Sequence, residues 1–213
     1  MNLVIVGGGG HAKVVMEIAE LNGYELVGFV DDDPAVQSLG NLTKLGDLRS
    51  YGASDILDRG RAHVVAIGDN GTRRNVADML AGRGARFVTL VHPRAIVSTK
   101  SEVAEGTVVM AGAIISPFAS VGRHTIVNSG CVVEHDDVIG DYAHISPGAN
   151  LAGRVSIGEG THIGIGSNVL PSVTVGSWCT VGGGTLVNAD LPDGVKAYGV
   201  PARIVNERDD RGE

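Results

Sequence analysis

From Val97 to Val187 a Val, Ile or Leu returns at every sixth position, sixteen times without a slip. Four residues after each of these the chain is mostly small, as at Ala113, Ala119, Thr125, Cys131, Ala143 and Ala149. A six-residue period is the signature of a parallel β-helix, in which each hexapeptide supplies one short strand and one turn. Three hexapeptides close a triangular coil of eighteen residues, so the run makes about five coils. Successive coils stack at strand spacing, about 4.8 Å. The aliphatic residue points into a narrow prism where one branched side chain fits per face.

The repeat is bland until Val133-Glu134-His135-Asp136-Asp137. Asp137 occupies a small position, where neighbouring coils carry Cys, Ala or Thr. His135 is followed at once by Asp136, and a carboxylate beside an imidazole fixes its tautomer and raises its basicity. Adjacent side chains on a strand point to opposite sides, but at a coil corner they can converge. The competing explanation is a polar exposed turn with incidental charges. His144 and His162 lie eighteen apart, so they stack one coil above the other. That spacing could offer two ligands to zinc, but no third ligand accompanies them. A contact between His144 and a ligand lying along the prism fits better, and no metal site is expected.

The first ninety residues read differently. Asn2–Val6 is an apolar run ending in Gly7-Gly8-Gly9-Gly10, a buried strand entering a phosphate-type loop. His11–Leu21 has helical periodicity. Glu25–Val30, His63–Ile67 and Phe87–Val91 read as further strands, with Gly68-Asp69-Asn70-Gly71 and then a polar helix through Leu80 after the third. Strands alternating with helices imply a parallel, Rossmann-like sheet. Gly7-x-Gly9-x-x-Ala12, with Asp31 and Asp32 about 20 residues on, fits a dinucleotide fingerprint. A helix N-terminus after such a loop welcomes any phosphate, and the unit is short for a full dinucleotide fold. Asp31, Asp32 and Gly68 fall at the C-terminal edge of that sheet, where ligands bind. The organisation expected is a Rossmann-like unit over 1–92, a β-helix over 93–190 and a C-terminal tail over 191–213. The first unit should cover one end of the prism and residues 190–205 should cap or flank the other, with 206–213 frayed.

A formal net charge of −7 argues against nucleic-acid binding. No apolar stretch is long enough to span a bilayer, and the N-terminus lacks the features of a signal peptide. Cys131 and Cys179 both lie inside the repeat, as buried reduced thiols would. A cytoplasmic protein without a membrane partner is expected.

The stretches GGGGHAKVV, FVDDDP, AIGDNGTRR, VNSGCVVEHDDVIGDYAHISPGANLAG and YGVPARIV, taken together, resemble the sugar O-acyltransferase family of sialic acid O-acetyltransferases. Within it they are most similar to the bacterial nucleotide-sugar 4-amino N-acetyltransferases. The resemblance covers roughly residues 2 to 204. It implies a homotrimer of left-handed β-helices, with acetyl-CoA as cosubstrate bound between neighbouring prisms and a nucleotide sugar on the N-terminal domain. By position, His135 is implied as the general base and Asp136 as the acid that raises its basicity; family members often carry Glu there. His144, Gly153, Ile165 and Gly183 are implied along the CoA cleft. Gly9, Gly10, His11, Asp31, Asp32 and Gly68 are implied at the nucleotide sugar, with Asn128 at the sugar itself. The activity implied is N-acetylation of a UDP- or GDP-linked amino-deoxy sugar, with sialic-acid-type O-acetylation as the alternative. Cys131 as a nucleophile, NAD chemistry on the first unit and zinc chemistry on the prism are the further rivals.

Overall fold

The computed structural model describes residues 1–53 and 60–205; the polar stretch 206–213, expected to fray, lies outside the described residues. The N-terminal unit is built from β1 (Asn2–Val6), α1 (Gly10–Leu21), β2 (Glu25–Val30), β3 (Ser38–Leu39), β4 (Leu42–Gly46), α2 (Leu48–Ala53), β5 (Ala62–Val65), α3 (Asn70–Ala81) and β6 (Arg86–Phe87). The sheet order is β3-β4-β2-β1-β5-β6, parallel except for the β3–β4 pair. The central strand β1 is apolar without alternation because both of its faces are covered. Leu3 and Ile5 pack with Ala12, Val15 and Ile18 of α1, whereas Val4 and Val6 pack with Val76, Ala77 and Leu80 of α3.

Two sequence expectations change here. The third strand stops at Val65, and the single strand expected over Phe87–Val91 is two. Arg86–Phe87 closes the edge of the Rossmann-like sheet, while β7 (Leu90–Val91) pairs with Val108–Val109 as the first rung of the β-helix. The divide falls at Val88-Thr89, where the chain turns away from the sheet.

The β-helix has three parallel faces. The first runs from β7 through Ile126–Val127, His144–Ile145 and His162–Ile163 to Lys196–Tyr198, and an antiparallel strand at Arg203–Val205 closes it. The second runs from Ile96–Val97 to Leu186–Val187 and the third from Glu102–Val103 to Thr174–Val175. The register is eighteen residues from Leu90 to Thr180 on the first face, with Val108 opposite Ile126 and His144 opposite His162, and shortens to sixteen at the last rung, where Thr180 lies opposite Lys196. Aliphatic residues from Val109 to Val187 fill the prism.

The small positions also lace the coils. Thr107 Oγ1 accepts from Thr125 N–H one coil on, at 3.1 Å, and donates to the Gly122 carbonyl at 2.7 Å. Thr161 repeats the pattern with Cys179 N–H and the Gly176 carbonyl, and Ser167 with Thr185 N–H and the Gly182 carbonyl.

The N-terminal unit lies along the side of the prism, not over its end as the sequence suggested. The outward residues of the first face explain why. Leu90, Val108 and Ile126 are apolar and buried against the cluster that holds Leu3, Ile5, Ala12 and Val15. The next outward residues are His144, His162 and Thr180, and there the contact opens into a cavity.

Arg73 of α3 fastens the two units and is almost wholly buried. Its Nε donates to the His124 carbonyl at 2.8 Å. One terminal nitrogen donates to the Ile67 and Gly68 carbonyls, the other to Asn70 Oδ1 and the Tyr142 and Ala143 carbonyls, at 2.6–3.2 Å. Burial lowers its pKa to about 10, so it is charged at neutral pH. A lysine offers three donors and no planar fork, so it cannot serve six acceptors. Leaving two buried carbonyls unpaired costs about 2–6 kcal/mol. Arg73→Lys and Arg73→Met should therefore both lower the unfolding free energy by an amount in that range in chemical denaturation; a loss below 1 kcal/mol in both would contradict this role for the side chain.

Candidate active site

Corner geometry brings His135 and Asp136 together. Asp136 adopts a left-handed backbone, φ 61°, as do Phe118, Arg154 and Ser172 above and below it on the corner between the second and third faces. That turn swings consecutive side chains to one side. His135 Nδ1 lies 2.8 Å from Asp136 Oδ2, and both side chains are about half exposed. The hydrogen bond to Asp136 raises the His135 pKa above the ordinary 6.5. With Nδ1 bonded to the carboxylate, Nε2 is the basic nitrogen presented outward.

Gly153 makes room for the ring. A Cβ there would stand 2.5 Å from His135 Cε1 and Nε2. The Gly153 N–H donates to no acceptor among the described residues, although its carbonyl receives Ser172 N–H. The second acid of the motif has another task. Asp137 is fully buried, and its carboxylate accepts Glu134 N–H at 2.8 Å and Val155 N–H, one coil on, at 2.7 Å. It therefore continues the lacing that Thr and Ser perform at other small positions.

A second constellation lies on the first face, against the N-terminal unit. A cavity of about 630 Å³ is lined by the Gly68-Asp69-Asn70-Gly71 loop, His144, His162 and Trp178 among others. Asp69 caps α3 by accepting Thr72 N–H at 2.8 Å, and Asn70 Nδ2 donates to the Gly160 carbonyl at 2.9 Å, so this wall is fixed to the prism. The His144 and His162 rings stack in parallel, 4.7 Å between centroids. Burial first, then the neighbouring His162 and Arg73 charges, hold the His144 pKa down to about 3. Asn128, expected at the sugar, has its Nδ2 3.0 Å from His144 Nε2. Among the described residues no group of three or more His, Cys, Asp or Glu could hold a metal ion. Cys131 is buried in the prism core, and burial pushes its thiol up to about 12.

The glycine loop is held from below. Gly7, at φ 108°, and Gly8 have no room for a Cβ, while Gly9 and Gly10 face open space. Asp31 Oδ2 accepts Gly8 N–H at 2.6 Å, tying the loop to the end of β2. Asp32 Oδ1 accepts Leu48 N–H at the start of α2. No side chain caps α1 and no acid stands in its first turn, so its N-terminal amides stay open to an anion. His11 follows them, with its Nε2 buried and unpartnered among the described residues.

One chain does not gather all of these groups. His135, Asp136 and Gly153 occupy the corner between the second and third faces. Ile165, 63% exposed, and Gly183 occupy the corner between the first and second. His144 and the glycine loop belong to the side covered by the N-terminal unit.

Residues 2–80 match the family described as the PglD N-terminal domain, and residues 154–189 the one described as bacterial transferase hexapeptide (six repeats). Over 111 residues the chain is 41% identical to the UDP-N-acetylbacillosamine N-acetyltransferase of Bacillus subtilis (strain 168); the match spans 52% of this chain and 51% of that relative, about half the length of each. An Asn-for-His form of perosamine N-acetyltransferase from Caulobacter crescentus, solved with CoA and GDP-perosamine, superposes with a TM-score of 0.93 at 38% identity, covering 97% of this chain and 98% of that one. The chain belongs to the left-handed β-helix family of sugar acyltransferases, on the nucleotide-sugar N-acetyltransferase branch. The acetyltransferase domain of PglB from Neisseria gonorrhoeae FA1090, solved with acetyl coenzyme A, is a further member, with a TM-score of 0.89, 36% identity and coverage of 96% and 98%.

For a member of this acyltransferase family, sequence reasoning missed Arg73, Asn70 and Trp178. Arg73 sits in a helix where a polar face is ordinary, and Trp178 in a repeat position that elsewhere carries Gly160 or Tyr142. The interruption of the apolar series Leu90, Val108, Ile126 by His144 was the available signal for the cavity. The His135 pair makes a direct prediction. Asp136→Asn removes the carboxylate charge whose hydrogen bond raises the imidazole pKa, and Gly153→Ala pushes the ring off its seat. In an NMR titration the His135 midpoint should fall toward 6.5 in both variants. A midpoint unchanged in both would show that neither group acts on the ring.

Proposed function

We propose that this chain is an acetyl-CoA-dependent N-acetyltransferase acting on the 4-amino group of a nucleotide-linked amino-deoxy sugar, UDP- or GDP-linked, in bacterial glycan biosynthesis. The observation that carries the proposal is the His135–Asp136 pair: an exposed imidazole of raised basicity seated above a glycine. Two relatives support the acceptor class, since one is named for a UDP-sugar and another was solved with GDP-perosamine and CoA.

The chemistry follows from the groups present. The acceptor amine attacks the thioester carbonyl directly, so the two substrates meet without a covalent enzyme intermediate. His135 Nε2 takes the amine proton as the C–N bond forms, and Asp136 stabilises the resulting imidazolium. The unpaired Gly153 N–H is the donor for the oxyanion. When the C–S bond breaks, the thiolate of CoA recovers a proton from His135, and the base is restored. Residues 1–92 hold the acceptor: the open α1 N-terminus at Gly9, Gly10 and His11 takes a phosphate, with Asp31, Asp32, Gly68 and Asn128 around it. Residues 93–190 supply the base and the CoA cleft along His144, Gly153, Ile165 and Gly183. Residues 191–213 form the tail.

The reading includes a homotrimer in the cytoplasm. The base corner of one chain faces away from that chain's own acceptor cavity, so a neighbouring prism must bring base and amine together. The exposed Val138 and Ile165 beside those corners are apolar surface for such a contact.

The test is release of CoA thiol from acetyl-CoA against UDP- and GDP-linked 4-amino-6-deoxy sugars and free sialic acid. Release with a sugar nucleotide is expected; release only with a hydroxyl acceptor would move the enzyme to O-acetylation. His135→Ala should lose about 10²–10⁴-fold in turnover while acetyl-CoA still binds. Turnover should also rise with pH through a midpoint above 6.5, because a raised pKa keeps the base protonated to higher pH. Full activity of His135→Ala would end the assignment of the base.

A further inference from the structure

Two consecutive coils of the first face carry the same side-chain arrangement. The residue just after the inward aliphatic in one coil reaches the histidine just before the inward aliphatic in the next. Asn128 lies 3.0 Å from His144 Nε2, and Ser146 Oγ lies 2.7 Å from His162 Nε2, each across sixteen residues. The two rings stack with 6° between their planes, so neither can turn freely.

The first of these contacts has a defined polarity. Asn128 Oδ1 accepts Ser129 N–H at 2.8 Å, which directs its Nδ2 toward the ring. An amide nitrogen only donates, so His144 Nε2 is the acceptor and the ring proton is on Nδ1. His144 Nδ1 has no protein acceptor among the described residues, and the ring lines the cavity beside Asn70 and Trp178. Burial keeps the imidazole neutral across the physiological range. A neutral, oriented imidazole polarises a carbonyl without giving up its proton.

We propose that Asn128 is a positioning residue that fixes His144 as its Nδ1–H tautomer, so that this N–H donates to the carbonyl oxygen of the bound acyl thioester. The role given to the thioester rests on the acetyltransferase reading above; the tautomer does not. Asn128 thereby acts on the thioester through His144. The Ser146–His162 pair one coil on backs the ring and prevents its rotation.

The test is long-range ¹H–¹⁵N NMR of the protein labelled at histidine, with the His144 signals identified by their loss in His144→Gln. The wild-type spectrum should show the Nδ1–H tautomer at neutral pH; an Nε2–H pattern would overturn the proposal. Asn128→Asp keeps the size of the side chain and the bond to Ser129 but turns the donor into an acceptor. It should switch His144 to Nε2–H or to the imidazolium, and lower kcat about 10²-fold, the cost of one lost oxyanion donor. The Kd for acetyl-CoA should change far less. If Asn128→Asp does not fold, Asn128→Ala should leave a mixture of tautomers and a smaller loss in kcat. A switched tautomer with unchanged kcat would overturn the catalytic part. Should no acceptor support thiol release in the wild type, the acetyltransferase reading fails, while the wild-type spectrum still decides the tautomer.

Discussion

A guanidinium with six oxygen acceptors and no carboxylate among them joins the two units of this chain. Arg73 takes its partners from the β5–α3 loop, from Asn70 and from the prism corner at His124, Tyr142 and Ala143. Each acceptor is a fixed dipole already placed by regular structure, so the charge is satisfied without a mobile counter-ion. The consequences extend beyond fastening. The loop it holds forms one wall of the cavity. After burial itself, its charge also helps keep His11 and His124 at about 4. The side facing the N-terminal unit is thus a region of neutral imidazoles, whereas at the exposed corner the His135 pKa is raised.

The repeat supplies rigidity where the chemistry needs it. Stacked backbone bonds lock the corners, and side-chain oxygens of Thr107, Asp137, Thr161 and Ser167 accept the N–H one coil on. A left-handed residue other than glycine costs of order 1–3 kcal/mol, and the corner of His135 carries four such residues in a column. At Asp136 that backbone turns a sequence neighbour into a hydrogen-bond partner. An ordinary strand would have sent the carboxylate to the opposite side, and the imidazole would have lost its partner.

Much of this was legible in the order of residues. A period of six with no slip leaves few alternatives to a β-helix, and a histidine with two acids stands out against it. The roles of the two acids were not separable by spacing: Asp136 meets the imidazole because of its φ, and Asp137 laces the coil because it is buried beneath Val155. The glycine loop was read as a Gly7-x-Gly9 fingerprint; in the fold the third and fourth glycines face open space, while the first two are the ones that close packing demands. Side-by-side docking of the units was missed because it is written in outward residues eighteen apart, Leu90, Val108 and Ile126, which a scan along the chain does not group. The short β3–β4 pair was missed for a simpler reason: a two-residue strand carries no periodicity.

The central claim is that the base of one chain serves the acceptor cavity of another. It is tested most directly by mixing two inactive variants, His135→Ala and an Asn70→Trp form whose cavity is filled, under conditions that exchange subunits. In a three-fold ring every mixed assembly keeps one interface with an intact base and an intact cavity, so random mixing should restore roughly a quarter of wild-type turnover. Activity no greater than that of the separate variants, with mixed assemblies demonstrated by mass spectrometry, would contradict the account and place base and acceptor in the same chain.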